Sequence, residues 1–229
     1  MSLRQRNEAL KSLTATVKIG IPHPQAKLIQ WTDALIFWQH NPEHLYVKGY
    51  KPLIPIYFLL ESKEGSFQLF FARPYIVYHG KNKVLEREID IDLKLVPQDL
   101  MQALALPDIG IDREVERILT PGSKPGQAYV LLVKHPNGNS IRQITVDLSG
   151  NPQKTLEFNE AGFPSVEITR DKWKEVGGIS YPFQIKIKRL LPRPNEIFLE
   201  VKEIRPNAAL SSKLYAPNFP ENAQRIELT

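Results

Sequence analysis

Apolar residues return at every second position along most of this chain, and that period constrains the fold more than any other feature. In YPFQIKIK, Phe183, Ile185 and Ile187 face one way while Gln184, Lys186 and Lys188 face the other. Beyond the turn at Pro192–Asn195, Ile197, Leu199 and Val201 continue the pattern, with Glu200 and Lys202 outward. Near the start, Leu13, Ala15, Val17 and Ile19 alternate with Thr14, Thr16 and Lys18. A period of two is that of a half-buried strand. Turn signals punctuate the pattern: HNPEH from His40, SKEG from Ser62, GKNK from Gly80, and Asn137-Gly138. Short strands at this spacing predict antiparallel meanders of about ten or eleven strands. A sheet that large must curl, close or split.

Only two stretches depart from the period. VPQDLMQALALPDIG places Leu100, Ala103 and Leu104 at helical spacing, with Pro97 suited to the first turn and Pro107 as the stop, so a helix is expected over 97–106. The opening MSLRQRNEALKSL reads as a short helix within 1–12. The proline-rich segment 207–229 is expected to lie extended across the sheet. The expectation is an α+β, mainly β chain forming one domain over 1–229. Its single curved antiparallel sheet forms an unclosed β-barrel, or half-barrel, with helices over the concave side.

The motifs of common chemistries are absent. There is no cysteine, which excludes disulfides, thiolate metal sites and cysteine catalysis. There is no G-x-S-x-G, Walker loop, GxGxxG or HExxH. His23, His40, His44, His79 and His135 lack metal-ligand spacing and read as turn and surface groups. In EREIDID, Glu86, Glu88, Asp90 and Asp92 share one strand face, but same-face neighbours lie roughly 6.5–7 Å apart. A solvated edge that discourages aggregation is the expected reading. An enzyme would need a cleft where Glu86 or Asp90 meets a histidine. The reading is therefore non-enzymatic, with no cofactor and no metal. The net charge of +5 suits anionic lipid surfaces, but the basic residues are spread too evenly for nucleic acid. No apolar run reaches the roughly 20 residues of a membrane helix.

One stretch is apolar on both faces. KPLIPIYFLLESKEGSFQLFF holds eight consecutive apolar or proline residues, Leu53 to Leu60. Ile54, Ile56, Phe58 and Leu60 are expected on one face, with Tyr57 and Leu59 on the other. Phe67, Leu69 and Phe71 share a face of the next strand, and Tyr75 and Val77 share another. Since one face of an antiparallel sheet is usually wet, this strand is either covered on both sides or lines a cavity or an exposed patch.

The order of these elements resembles the outer-membrane lipoprotein carrier and receptor superfamily, the LolA-like and LolB-like proteins. FWQHNPEHLYVKGYKPLIPIYFLLESKEGSFQLFFARPYIVYHGKNKVLE resembles the family's first meander. VPQDLMQALALPD resembles its lid helix, and GGISYPFQIKIKR followed by KLYAPNFPENAQRIEL its closing strands and tail. The resemblance implies an apolar cavity that takes lipid or lipoprotein acyl chains, in lipoprotein transport at the periplasmic face of the outer membrane. It also implies a monomer with peripheral or anchored membrane contact, whose export signal has been removed. The cavity candidates are Ile54, Ile56, Phe58, Leu60, Phe67, Leu69, Phe71, Tyr75, Val77, Leu100, Leu104, Phe183, Ile185 and Leu199. Leu53 and Ile54 fall where the receptor branch has a protruding apolar lip. Phe58→Asp and Phe71→Asp are expected to weaken acyl binding with the fold kept. The carriers hold the lid shut with an arginine before a proline; here that turn reads Gln39-His40-Asn41-Pro42, which puts the device in doubt. The alternative is an interaction or sensor module of the envelope, with the same fold and another envelope protein as partner.

Overall fold

The computed structural model describes residues 9–22, 28–85, 95–107, 116–121, 127–134, 140–208 and 218–229. The first meander is β1 (Ser12–Pro22), β2 (Ile29–Gln39), β3 (His44–Lys51), β4 (Ile54–Lys63), β5 (Ser66–Phe71) and β6 (Ile76–Lys81). Two short helices follow, α1 (Asn82–Leu85) and α2 (Pro97–Leu104). The second meander is β7 (Glu116–Pro121), β8 (Gln127–Lys134), β9 (Ser140–Asp147), β10 (Pro152–Phe158), β11 (Pro164–Val176), β12 (Ile179–Arg189) and β13 (Asn195–Pro206). A last strand, β14 (Gln224–Leu228), ends the chain's path.

All 14 strands join one sheet in the order β14-β6-β5-β4-β3-β2-β1-β13-β12-β11-β10-β9-β8-β7. The meanders meet at the antiparallel β1–β13 pair, where Leu13 opposes Pro206 and Ile19 opposes Leu199. The sheet does not close: β14 and β7 are its free ends. It is the expected half-barrel. Twist carries its two flanks round a common concave face, on which apolar side chains of both meanders form one core with α2.

Local chemistry explains the tight connections. Glu64 and Gly65 both take positive φ (52° and 74°) between β4 and β5, as do Gly177 and Gly178 (58° and 77°) between β11 and β12. Two-residue hairpins with both residues left-handed match the strand twist. α2 begins with Pro97 in its first turn and has Asp99 there, where a carboxylate suits the helix dipole. It is two residues shorter than the 97–106 expected.

Three expectations are corrected. GKNK is not a tight turn: Asn82 starts α1, its side chain bonded to Ser62 Oγ at 2.9 Å. Among the described residues the strands number 14, because residues 116–121 and 224–228 also pair. Segment 218–229 does more than lie across the sheet, since β14 runs parallel to β6 and extends it. Of the N-terminal helix assigned to 1–12, residues 1–8 lie outside the described residues; Ala9 is helical and β1 begins at Ser12.

Candidate functional site

The concave wall is built from rows of opposed strand residues. Ile36, Val47, Leu60 and Leu69 oppose one another across β2 to β5, and Ile187 opposes Ile197 on the other flank. Of the sequence-derived cavity candidates, Phe58, Leu60, Phe67, Leu69, Leu100, Leu104, Ile185 and Leu199 meet in this one core, none more than 2% exposed. Phe71 and Phe183 sit half-buried at its margin. Phe58 lies over Gly49, its partner in the β3–β4 pair; a Cβ on Gly49 would come within 2.0 Å of the ring. Such enclosure changes one expectation. Aspartate at Phe58 would be an unpaired buried charge and would cost the fold itself, whereas Phe71 has room for the change.

The remaining candidates lie elsewhere. Ile56 and Val77 pack on the convex face, in a second core of Phe37, Tyr46, Leu59, Phe70 and Ala223 that Phe219 also joins. Tyr75 is 40% exposed in the β5–β6 turn, bonded to Asn222 Oδ1 at 3.1 Å. Ile54 is half-buried and belongs to neither core. The expectation that Ile54, Ile56, Phe58 and Leu60 share a face therefore fails. The register shifts between Gly49 and Lys51, so that Gly49 opposes Phe58 but Lys51 opposes Ile54. The extra residues on β4 form a bulge, which breaks the alternation. Tyr57 accordingly packs on the concave core beside Phe58, and Ile56 on the convex one. Leu53 is wholly exposed at the β3–β4 tip, with φ at 66°, a backbone region rare for leucine.

A polar clasp holds α2 against the sheet, and sequence reasoning missed it. Arg189 Nη2 and Nε donate to the two carboxylate oxygens of Asp99, at 2.6 and 2.8 Å, in a buried two-pronged pair. Arg170 Nη2 donates to the Gln102 and Ala105 carbonyls at 2.9 and 3.2 Å, and Nη1 to Thr155 Oγ1 at 2.9 Å. Tyr181 Oη donates to the Leu104 carbonyl at 2.9 Å. These bonds satisfy carbonyls that the helix end leaves open. Burial lowers the Arg170 guanidinium to about 10 and pushes the Tyr181 phenol up, the latter opposed by the charge on Arg170. Arg170 keeps its proton at neutral pH. One signal was available in the sequence. Arg170 shares parity with Val166 and Ile168, and Arg189 with Ile185 and Ile187, so both arginines point into the core and require buried partners. At the turn before Pro42, His40 contacts Trp38 and is exposed; the arginines that hold the helix come from β11 and β12 instead.

Beside the clasp lies a cleft of about 170 Å³ between α2, the β2–β3 turn and β9–β11. A wider groove of about 580 Å³ runs along β5, β6 and β14. Among the described residues no group of His, Asp and Glu could hold a metal, and no helix is long and apolar enough to cross a membrane. His44 bonds Glu61 at 2.9 Å across β3 and β4. His23, His135 and the Glu86, Glu88, Asp90 and Asp92 ladder lie outside the described residues.

No protein-family model matches the chain, and no curated protein matches it in sequence. Solved structures do match. A LolA superfamily protein from Nitrosomonas europaea is 13% identical, with a TM-score of 0.60 over 93% of this chain and 95% of that one. A DUF1329 family protein from Desulfovibrio piger is 12% identical, with a TM-score of 0.65 over 93% and 94%. A domain described as an outer membrane lipoprotein-sorting protein, from Vibrio parahaemolyticus, is 11% identical, with a TM-score of 0.62 over 93% and 92%. At these identities the likeness is one of fold: the chain has a LolA-like fold.

Proposed function

We propose that this LolA-like half-barrel is a non-enzymatic cell-envelope protein that takes the acyl chain of a lipid or lipoprotein onto its concave face, with α2 as a lid. One observation carries the reading. The concave face is a continuous apolar wall on which Leu100 and Leu104 of α2 pack, and polar bonds from Arg170, Tyr181 and Arg189 fix that helix in place. Such a cover is a discrete element whose attachment includes a definable set of polar bonds. In the closed form the wall residues are buried, so uptake requires α2 to leave and the acyl chain to replace it. Each methylene so buried contributes about 0.8 kcal/mol, so affinity rises with the length of the acyl chain.

The exposed Leu53, at the β3–β4 tip between Pro52 and Ile54, serves in this reading as an apolar lip touching the membrane surface at the periplasmic side of the outer membrane. A leucine kept fully in solvent at positive φ points to a role outside the fold.

A fluorescent diacylated lipopeptide titrated into the protein tests the reading. Saturable uptake is expected, several-fold faster for Tyr181→Phe, which removes one bond of the clasp. Absence of saturable uptake in both proteins would rule out acyl binding and leave a module that presents its surface to another envelope protein.

A further inference from the structure

The two ends of the sheet present different surfaces to solvent. One end holds the turns β2–β3, β4–β5, β9–β10 and β11–β12, with His40, Asn41, Glu64, Gly65, Gly177 and Gly178 exposed. Leu148 is the one large apolar side chain exposed there among the described residues. The other end holds the turns β3–β4, β5–β6, β10–β11 and β12–β13. Each of these four exposes a large apolar or aromatic residue, in order Leu53, Tyr75, Phe163 and Leu191. Leu28, Ile29 and Trp31 are exposed at the same end, where β2 begins. Seven of the nine large hydrophobic side chains exposed among the described residues thus gather at one end. A single exposed leucine is ordinary, but such a gathering marks a contact surface. Two of the seven also sit where the backbone favours other residues. Leu53 and Tyr75 take φ of 66° and 76°, a region in which glycine and asparagine are at ease.

The arrangement also indicates the kind of surface that it fits. The seven stand on separate turns of both meanders rather than in one patch. Cations lie beside them: Lys51 next to the β3–β4 turn, and exposed Arg73 and Arg193 in the turns of Tyr75 and Leu191. Glu160 and Glu221 are the exposed acids of this end among the described residues. Separate apolar tips suit a fluid medium that yields round each of them, and neighbouring cations suit lipid phosphates. Tryptophan and tyrosine are enriched at the depth of the headgroups.

We infer that this end of the sheet docks on a phospholipid bilayer containing anionic lipid, with the turns of both meanders set into the headgroup region. The inference extends the reading of Leu53 as a lip, and rests on it for that residue alone. Contact is made by a rim that runs from the β5–β6 turn to the β10–β11 turn, and the strands meet the membrane end-on. Arg189 is the last residue of β12, so it lies at the same end. Docking therefore brings the Asp99 attachment of α2 towards the bilayer.

Co-sedimentation of the full chain with mixed phosphatidylcholine–phosphatidylglycerol vesicles tests the rim. Saturable partition is expected, weakened severalfold when phosphatidylglycerol is left out, because cations near an anionic surface add to the attraction. Phe163→Ser combined with Leu191→Ser, both in exposed turns of the second meander, should weaken partition roughly tenfold through lost apolar burial. Leu148→Ser, equally exposed at the opposite end, should leave it unchanged. The inference is overturned if partition ignores phosphatidylglycerol, if Leu148→Ser weakens it as much as the paired change, or if the paired change has no effect. In that last case a loss on Leu53→Ser would keep the lip and discard the rim. Absence of partition by the parent protein overturns rim and lip together and assigns this end to another protein. Uptake of the lipopeptide is read separately, so acyl binding stands or falls on its own.

Discussion

The two meanders handle their outer faces in opposite ways. β2–β5 carry apolar side chains on both sides: Ile36, Leu60 and Leu69 face the concave core, while Phe37, Leu59 and Phe70 face the convex one. β11–β13 bury one apolar face, and the outer face from β10 to β13 is mainly charged, with Lys154 of β10 meeting Glu167 at 2.6 Å and Lys186 meeting Glu196 at 3.1 Å. The difference lies in what covers each flank. Water covers the second meander, and the segment that brings in Phe219 and Ala223 covers the first. A strand apolar on both faces thus signals a second cover as readily as a cavity.

That contrast can be broken by substitution. The largest effect is expected at the clasp. Asp99→Ala leaves Arg189 buried without its carboxylate and should cost about 3–5 kcal/mol, measured by chemical denaturation. Leu59→Ala comes next: as a true core position on the convex face it should cost about 2–5 kcal/mol. A loss under about 1 kcal/mol would mean that the tail-side cover is loose and that the two meanders differ less than their burial suggests. Tyr181→Phe removes one neutral hydrogen bond and should cost about 1 kcal/mol at pH 7.

The same variant has a signature in alkali. The folded phenol is held above its ordinary value by burial, so an unfolded chain loses that proton first as pH rises past about 10. Stability from Tyr181 is therefore intact below about pH 10 and declines above it. The Tyr181→Phe protein should show a shallower alkaline decline in its denaturation midpoint than the parent. The smallest effect belongs to the wet face. Lys186→Ala breaks a partly exposed pair and should change stability by no more than about 1 kcal/mol.

The sheet was largely readable because its period was local. The alternation of YPFQIKIK reappears as the β12–β13 ladder, in which Ile185 opposes Leu199 and Ile187 opposes Ile197. The helix of VPQDLMQAL was equally local, bounded by its own prolines. The face assignment in β4 failed because a bulge depends on pairing with β3, which no periodicity within β4 records. β14 was missed because the alternation of RIEL spans only four residues after a proline-rich stretch, too short to mark a strand until it pairs beside β6. The clasp was hidden for a similar reason. Asp99 and Arg189 lie 90 residues apart and are joined only when α2 crosses the sheet. The arginines at core parity are the available hint, and no catalytic or metal motif registers them.

The parallel β14–β6 pair has a consequence in time. Phe70 and Val77 lie early in the chain, but Ala223, which packs on them, comes about 150 residues later. At roughly 5–20 residues per second, a chain delivered N-terminus first waits on the order of ten seconds between the two. Throughout that interval the convex flank of the first meander is bare and the edge of β6 unpaired, the kind of surface that invites aggregation. The interval in which the first meander is complete and β14 has yet to arrive is therefore the one in which these strands are most exposed to misassociation.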